Sequence, residues 1–170
     1  DLESARIASQ AALTGHLVMT TMHTNGAIQS VTRLVDIGVE PFLVAPSIIG
    51  VLFQRLVRTI CEHCKEPYRL TPEQISDLFE WDGKTPVTFY RGKGCPECNN
   101  TGYRGRTGVH EMLILNNTIR RLISRDASLM EIQDEAFRTG FRSIRHDGLK
   151  KVLRGITTID EVERITANPE

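Results

Sequence analysis

Residues 61–64 read Cys-Glu-His-Cys and residues 95–98 read Cys-Pro-Glu-Cys, and these two stretches decide the fold of the middle of the chain. In each stretch two residues separate the thiols, so one turn can direct both sulfur atoms at the same ion. Two such turns complete the tetrahedral shell of four sulfur atoms that zinc prefers, and a closed shell is typical of structural zinc. The pattern therefore predicts a structural zinc site formed by Cys61, Cys64, Cys95 and Cys98.

Other chemistry is compatible with four cysteines: two disulfides, a redox pair, an iron–sulfur cluster or four unrelated thiols. Disulfides persist in oxidising compartments. No export signal is visible, so we expect a cytoplasmic protein with reduced thiols. The spacing of the two turns favours zinc over an iron–sulfur cluster. His63, inside the first turn, is predicted to be a loop residue that faces solvent rather than a ligand.

The charge balance argues against a stand-alone nucleic-acid binder. Twenty-one basic residues match twenty-one acidic ones, so no overall field attracts nucleic acid or an anionic membrane. We therefore expect no nucleic-acid partner. The longest apolar run, residues 41–53, is shorter than the roughly 18–20 residues of a spanning helix. The sequence opens at Asp1 within a helical pattern and without a methionine, which suggests a piece of a longer protein.

The first sixty residues alternate between helical and strand patterns with short connections. We predict helices over residues 2–14, 27–36 and 41–47, a strand over residues 16–22, and a strand or helix–strand junction over residues 51–60. The segment 16–22 is largely apolar and rich in β-branched residues, which is typical of a buried parallel strand. The alternation predicts an α/β domain over residues 1–60.

The middle of the chain is rich in glycine, proline and aromatic residues and is predicted to form an inserted zinc module over residues 61–107. Within it, Thr71 is predicted to cap a short helix, because proline and glutamine follow at the first and third helical positions. A strand over residues 108–115 comes next. Four helix starts follow, at Asn117, Ser128, Asp147 and Thr158. Residues 108–170 are therefore predicted to form a strand and a small C-terminal helical bundle.

Residues 15–25, Gly-His-Leu-Val-Met-Thr-Thr-Met-His-Thr-Asn, place one histidine at each end of the predicted first strand. Ligands of open parallel sheets bind at the carboxyl ends of strands, so His23, Thr24 and Asn25 are predicted to project into a site. An imidazole there can donate a hydrogen bond to a phosphate oxygen or hold an attacking water. From the residues alone, a turn histidine without a function is the alternative.

Motifs along the chain resemble those of the ATPase family that powers type II secretion and type IV pilus assembly. Residues 1–5, Asp-Leu-Glu-Ser-Ala, are similar to the end of that family's Walker B box, and residues 15–25 resemble its histidine box. Residues 54–58, Gln-Arg-Leu-Val-Arg, resemble the segment before its tetracysteine module, and residues 102–111 resemble the segment that closes it. The resemblance continues to residues 155–158 and covers essentially the whole chain.

The resemblance implies a partial RecA-like domain of the P-loop NTPase class, in a hexamer that binds ATP with magnesium. It also implies that hydrolysis drives an inner-membrane platform of secretion or pilus proteins. The motor would then lie at the cytoplasmic face of that membrane, attached peripherally through these partners. By the same resemblance, the site residues are His23 near the γ-phosphate, His16 anchoring the same strand, Arg55 beside the nucleotide pocket, and Thr24 and Asn25 as nucleotide-binding residues. From the residues alone, His16 could equally be structural and Arg55 a surface or packing residue.

The parts that hold phosphate are absent from the sequence as it stands. It contains no Gly-x-x-x-x-Gly-Lys-Ser/Thr loop, which would wrap the β- and γ-phosphates. By the resemblance, the catalytic Walker B glutamate and the arginine fingers lie upstream of Asp1. Phosphoryl transfer depends on those parts together with magnesium, so the chain alone is predicted not to hydrolyse ATP. A zinc-stabilised interaction or scaffold module without a nucleotide role is the alternative function.

Overall fold

A computed structural model describes residues 1–167, which form two compact units. Unit one consists of Asp1–Phe53 and Glu111–Arg142, and unit two of Gln54–His110 and the chain from Ser143 onward. The helices are α1 (Leu2–Leu13), α2 (Ala27–Asp36), α3 (Pro41–Ser47), α4 (Pro72–Leu78), α5 (Asn117–Ser124), α6 (Leu129–Arg138), α7 (Ile144–Leu153) and α8 (Ile159–Thr166). The strands are β1 (Gly50–Ile60), β2 (Lys65–Tyr68), β3 (Phe89–Gly92) and β4 (Tyr103–Ile114). Among the described helices, none is both long and apolar enough to span a membrane.

The strands pair two by two. β1 pairs with β4 in one sheet, and β2 pairs with β3 in the other. The second pair is antiparallel, with Tyr68 opposite Phe89 and Lys65 opposite Gly92. The ring centroids of Tyr68 and Phe89 lie 5.9 Å apart. This cross-strand aromatic contact stabilises the register of the small sheet.

Unit one is held together by an aliphatic core. α2 contributes Ala27, Ile28 and Val31, which share one face because helical neighbours recur every three to four residues. The core residues that α3, α5 and α6 contribute are Val44, Ala45, Ile119, Ile123, Ile132 and Ala136. Complete burial of one such large aliphatic side chain contributes about 1.5–3 kcal/mol. Burial of these side chains is therefore the main source of stability in unit one.

Three predicted helix starts are confirmed by their capping contacts. Thr71 precedes α4. Its hydroxyl accepts a hydrogen bond from the amide of Gln74 over 3.4 Å, and its own amide donates to the side-chain carbonyl of Gln74 over 3.0 Å. Ser128 precedes α6 as a capping box with Glu131, and Thr158 precedes α8. Each start is specified by residues three positions apart, so the local sequence is sufficient to place it.

Two predicted starts are shifted. Asn116, rather than Asn117, caps α5, because its side-chain oxygen accepts from the amide of Ile119 over 2.8 Å. α7 begins at Ile144, three residues before the predicted Asp147. Asparagines at two successive positions are equally good caps, so only the backbone conformation distinguishes them.

The prediction of a buried strand over residues 16–22 is wrong. The segment has no regular secondary structure. Leu17 is 81% exposed and Met19 is 88% exposed. A strand must satisfy its backbone groups by pairing, and no described strand pairs with this segment. An apolar pattern reports a tendency to be buried, but it does not supply the neighbouring strand.

The described helices of the predicted C-terminal bundle are divided between the two units. α5 and α6 belong to unit one, where α5 packs on α3 and α6 packs on α2. α7 and α8 belong to unit two and pack on each other. The helical pattern showed that each helix has an apolar face, but each face joins the core of its own unit. The choice of core is a tertiary property that spacing along the chain does not encode.

Candidate functional site

The four cysteines converge in unit two. The sulfur of Cys61 lies 3.9 Å from that of Cys95, and the sulfur of Cys64 lies 3.9 Å from that of Cys98. Within the second turn the two sulfurs are 3.7 Å apart. All four sulfur atoms lie within 4.8 Å of one another. Cys61, Cys64 and Cys98 are buried, so the quartet forms a compact, largely dry cluster.

These distances fit the edges of a tetrahedron around one ion. Zinc–sulfur bonds of about 2.3 Å in tetrahedral geometry place neighbouring sulfurs about 3.8 Å apart. A disulfide would instead bring two sulfurs to about 2.05 Å, and all four cysteines are free thiols. The donor set and its spacing therefore fit a closed four-sulfur metal site. The structure does not contain the two disulfides that were the alternative.

Backbone contacts hold the two turns in place. The amide of Cys61 donates to the carbonyl of Gly102 over 3.0 Å, and the amide of Lys93 donates to the carbonyl of Cys64 over 3.1 Å. The sulfur of Cys98 accepts from the amide of Cys95 over 3.3 Å and from the amide of Gly102 over 3.2 Å. Amide-to-sulfur bonds of this kind stabilise thiolates and fix their direction. The chain thus presents preformed donors to an ion.

Two glycines permit this arrangement. A Cβ atom added to Gly92 would lie 2.0 Å from the carbonyl oxygen of Gly102, and one added to Gly102 would lie 2.3 Å from the carbonyl oxygen of Gly92. No side chain fits at either position without moving the backbone. The second cysteine turn therefore approaches β3 only because both residues are glycine.

The protonation of the thiols differs across the cluster. Burial raises the pKa of Cys64 to about 12. Burial also disfavours ionisation of Cys98, but the amides of Cys95 and Gly102 donate to its sulfur and lower its pKa to about 6. One thiol is therefore set up as a thiolate, whereas Cys64 gives up its proton only when a cation offsets the cost of the buried charge.

A buried carboxylate with two half-exposed arginine partners also lies in unit two. Glu161 is 1% exposed, and its carboxylate accepts from the backbone amide of Arg58 over 2.7 Å and from the guanidinium groups of Arg58 and Arg164 over 2.7 and 2.9 Å. Burial opposes its ionisation, but the bonds from Arg164 and Arg58 lower the pKa of Glu161 to about 2. The guanidinium of Arg58 also lies 4.1 Å from the ring centroid of Tyr103, which follows the second cysteine turn. Sequence reasoning missed this role and predicted only that a helix starts at Thr158.

The residues predicted to bind nucleotide lie on two units. His16, His23 and Asn25 are exposed residues of unit one, and Thr24 beside them is half-buried. The ring of His16 lies 3.2 Å from the hydroxyl of Thr14 and 3.3 Å from the carbonyl of Ala11, at the end of α1. Arg55 is a half-buried residue of β1 in unit two. The nucleotide role of these five residues stays a prediction.

Known proteins resemble this chain over most of its length. A family model described as Type II/IV secretion system protein matches residues 1–164. Type II secretion system ATPase E of Vibrio cholerae is 53% identical over 166 residues, which are 98% of this chain and 33% of that protein. Type IV pilus assembly ATPase PilB of Thermus thermophilus is 48% identical over 163 residues, which are 95% of this chain and 18% of that protein. The chain thus spans a third or less of the length of these relatives.

Two solved structures share the fold. The crystal structure of the pilus retraction motor PilT with bound ADP matches 99% of this chain and 38% of that one, with a TM-score of 0.64 at 23% identity. The Legionella pneumophila ATPase DotB matches 98% of this chain and 36% of that one, with a TM-score of 0.63 at 20% identity. The predicted α/β fold class is thereby confirmed. With the family model matched from residue 1 to residue 164 and about half of all positions identical to secretion and pilus ATPases, the chain belongs to the Type II/IV secretion system protein family.

Proposed function

We propose that this chain is the C-terminal part of a cytoplasmic, hexameric motor ATPase. The motor couples ATP hydrolysis to type II secretion or type IV pilus assembly through platform proteins of the bacterial inner membrane. The observation that supports this most is the 53% identity to a type II secretion ATPase over 98% of the chain. The comparable identity to a pilus assembly ATPase, 48%, supports the motor function but does not favour one machine over the other.

Zinc is the metal that the cysteine quartet fits best. Thiolates are the soft ligands that zinc accepts, and four of them leave no position for water or substrate. Bound zinc would therefore cross-link the end of β1 to the turn after β3 and take no part in hydrolysis. The free energy of metal binding would stabilise a module whose apolar core is small.

The histidine segment is the part of this chain that we assign to the nucleotide. His23 would donate a hydrogen bond to an oxygen of the γ-phosphate, and Thr24 and Asn25 would contribute further polar groups beside it. His16 would anchor the segment at its other end, and Arg55 would neutralise phosphate charge. The sequence lacks a phosphate-binding loop, so ATP and magnesium would be held in the full-length protein and the chain alone would be inactive.

The test is a His23→Ala substitution in the full-length protein. We expect ATP turnover to fall by about tenfold or more, because a positioned hydrogen-bond donor to the phosphate is lost, while zinc content stays unchanged. His146→Ala is the matched control, since His146 is an exposed histidine of α7 and should leave turnover unaltered. Unchanged ATP turnover in the His23→Ala variant would contradict the assignment of the histidine segment to the nucleotide. A full-length protein without any ATPase activity would instead favour the scaffold function.

A further inference from the structure

A carboxylate from a distant strand holds the first amide of α2. The backbone amide of Ala27 donates to Oε1 of Glu111 over 2.6 Å, across 84 residues of sequence. Both residues belong to unit one, and Glu111 on β4 is 9% exposed. The first amides of a helix have no partner within the helix and carry partial positive charge. Glu111 therefore supplies from outside the helix the cap that its own N-cap residue, Gly26, cannot supply.

Gly26 leaves the space for this contact. A Cβ atom added there would lie 2.2 Å from Oε1 of Gln29 and 3.0 Å from Oε1 of Glu111, so both side chains would have to shift. The φ of Gly26 is 175°, which is extended backbone open to any residue. Glycine therefore leaves room at this position for the Gln29 and Glu111 side chains, and its backbone conformation does not require it.

The same turn is fixed from the other side by hydroxyl groups. The hydroxyls of Thr24 and Ser30 lie 2.6 Å apart, and the hydroxyl of Ser30 donates to the carbonyl of Gly26 over 2.8 Å. Ser30 is buried. The backbone from Thr24 to Ala27 is thus held by two independent sets of contacts, and His23 directly precedes it.

We propose that Glu111 is a positioning residue for the turn formed by His23, Thr24 and Asn25. The inference rests on the nucleotide role proposed above for that turn. The Glu111 carboxylate fixes the point at which α2 begins and the direction in which the chain enters it, and so fixes the side chains just before it. The same carboxylate occupies the positively polarised N-terminus of α2. A phosphate would therefore be bound by the side chains of the turn and not by the first amide of the helix.

The experiment compares Glu111→Ala and Glu111→Gln in the full-length protein. In the alanine variant, hydrogen exchange of the peptide from Gly26 to Val31 should become about tenfold faster, because a helix cap is lost. The kcat for ATP should fall about tenfold with KM within about twofold, since the turn would act on the transferred phosphate rather than on ground-state binding. Glutamine keeps an acceptor oxygen, so its values should lie between those of alanine and wild type.

Two controls separate positioning from simple loss of charge or stability. Asp134→Asn removes an exposed acid of α6 in the same unit, and Ile132→Val loosens the core of that unit. Neither should change kcat, even where Ile132→Val lowers the melting temperature. Gly26→Ala, which crowds the carboxylate, should reproduce the Glu111→Ala effects in weaker form.

The outcomes distinguish the two proposals. If His23→Ala lowers turnover while Glu111→Ala changes neither the exchange nor kcat, the positioning role is overturned and the function stands. Faster exchange with unchanged kcat also overturns the positioning role, because the contact would then be structural only. If His23→Ala itself has no effect, the nucleotide role of the histidine segment and the positioning role of Glu111 both fall, while the motor function stands.

Discussion

In unit one the main buried cluster is largely aliphatic, with Val31 and Ile119 completely buried, whereas unit two also buries thiols and a carboxylate, with Cys61 0% and Glu161 1% exposed. Aliphatic side chains gain from burial whatever their neighbours are. A buried thiolate or carboxylate is stable only while its cation or donors are present. The difference teaches that unit two, besides its own apolar cluster of Ile75, Phe89, Val152 and Val162, contains buried groups that are stable only with specific partners.

The first test of this comparison removes one of the proposed metal ligands. Cys95→Ser should abolish metal binding, and the lost support is roughly 10 kcal/mol, the scale of structural zinc in small modules. Residues 61–103 should then become open to hydrogen exchange and proteolysis, while the peptide of α2 in unit one keeps its protection. Elemental analysis and exchange mass spectrometry measure both. His63→Ala is the control and should retain the metal. Metal loss without faster exchange in residues 61–103 would show that the metal is not structural.

The second test removes the buried charge of unit two. Glu161→Gln should lower the free energy of unfolding by about 2–4 kcal/mol, because the charged acceptor of Arg58 and Arg164 is lost while these half-exposed cations return to water. Urea unfolding of the metal-loaded protein measures the loss. Glu163→Gln, on the exposed side of the same helix, should change the free energy by less than about 0.5 kcal/mol. Equal effects of the two variants would contradict a stabilising role of the ion pairs that Glu161 forms with Arg58 and Arg164.

The same carboxylate predicts an acid dependence. The pKa of Glu161 is lowered from 4.5 to about 2, so its contribution is fully present above pH 4.5 and is lost as the pH falls through 2. This pKa shift corresponds to about 3 kcal/mol of the free energy of unfolding. The difference in stability between wild type and Glu161→Gln should therefore shrink over this interval. Comparing the two proteins at each pH cancels any effect of acid on the cysteine cluster that both share.

The smallest effect is expected in the aliphatic core. Ile119→Val should cost about 0.5–1.5 kcal/mol, and the cost should be the same with and without a metal chelator. Ile114→Val is the matched control, since Ile114 is 54% exposed, and it should change stability by less than about 0.5 kcal/mol. A cost at Ile119 that depends on the chelator would contradict the separation of the two kinds of interior.

Features specified by nearby residues were predicted well. The caps at Thr71 and Ser128 need only a partner three positions away, and each cysteine turn brings its two thiols together through local geometry. Contacts between distant residues were missed. Nothing around Glu111 or Glu161 indicates that the first holds α2 from 84 residues away or that the second holds Arg58 from 103 residues away. A glutamate in the sequence is compatible with a cap, a surface position or an ion pair.

The sequence by itself determined which segments are helical, that four thiols can share one ion, and to which family the chain is similar, because these depend on spacing, composition and ordered motifs. Only the tertiary structure decided which core each C-terminal helix joins and that residues 16–22 lie exposed. It also decided which carboxylates are buried against amides and guanidinium groups. The physical reason is that burial and pairing are properties of two surfaces together, and a periodic pattern along the chain describes only one of them.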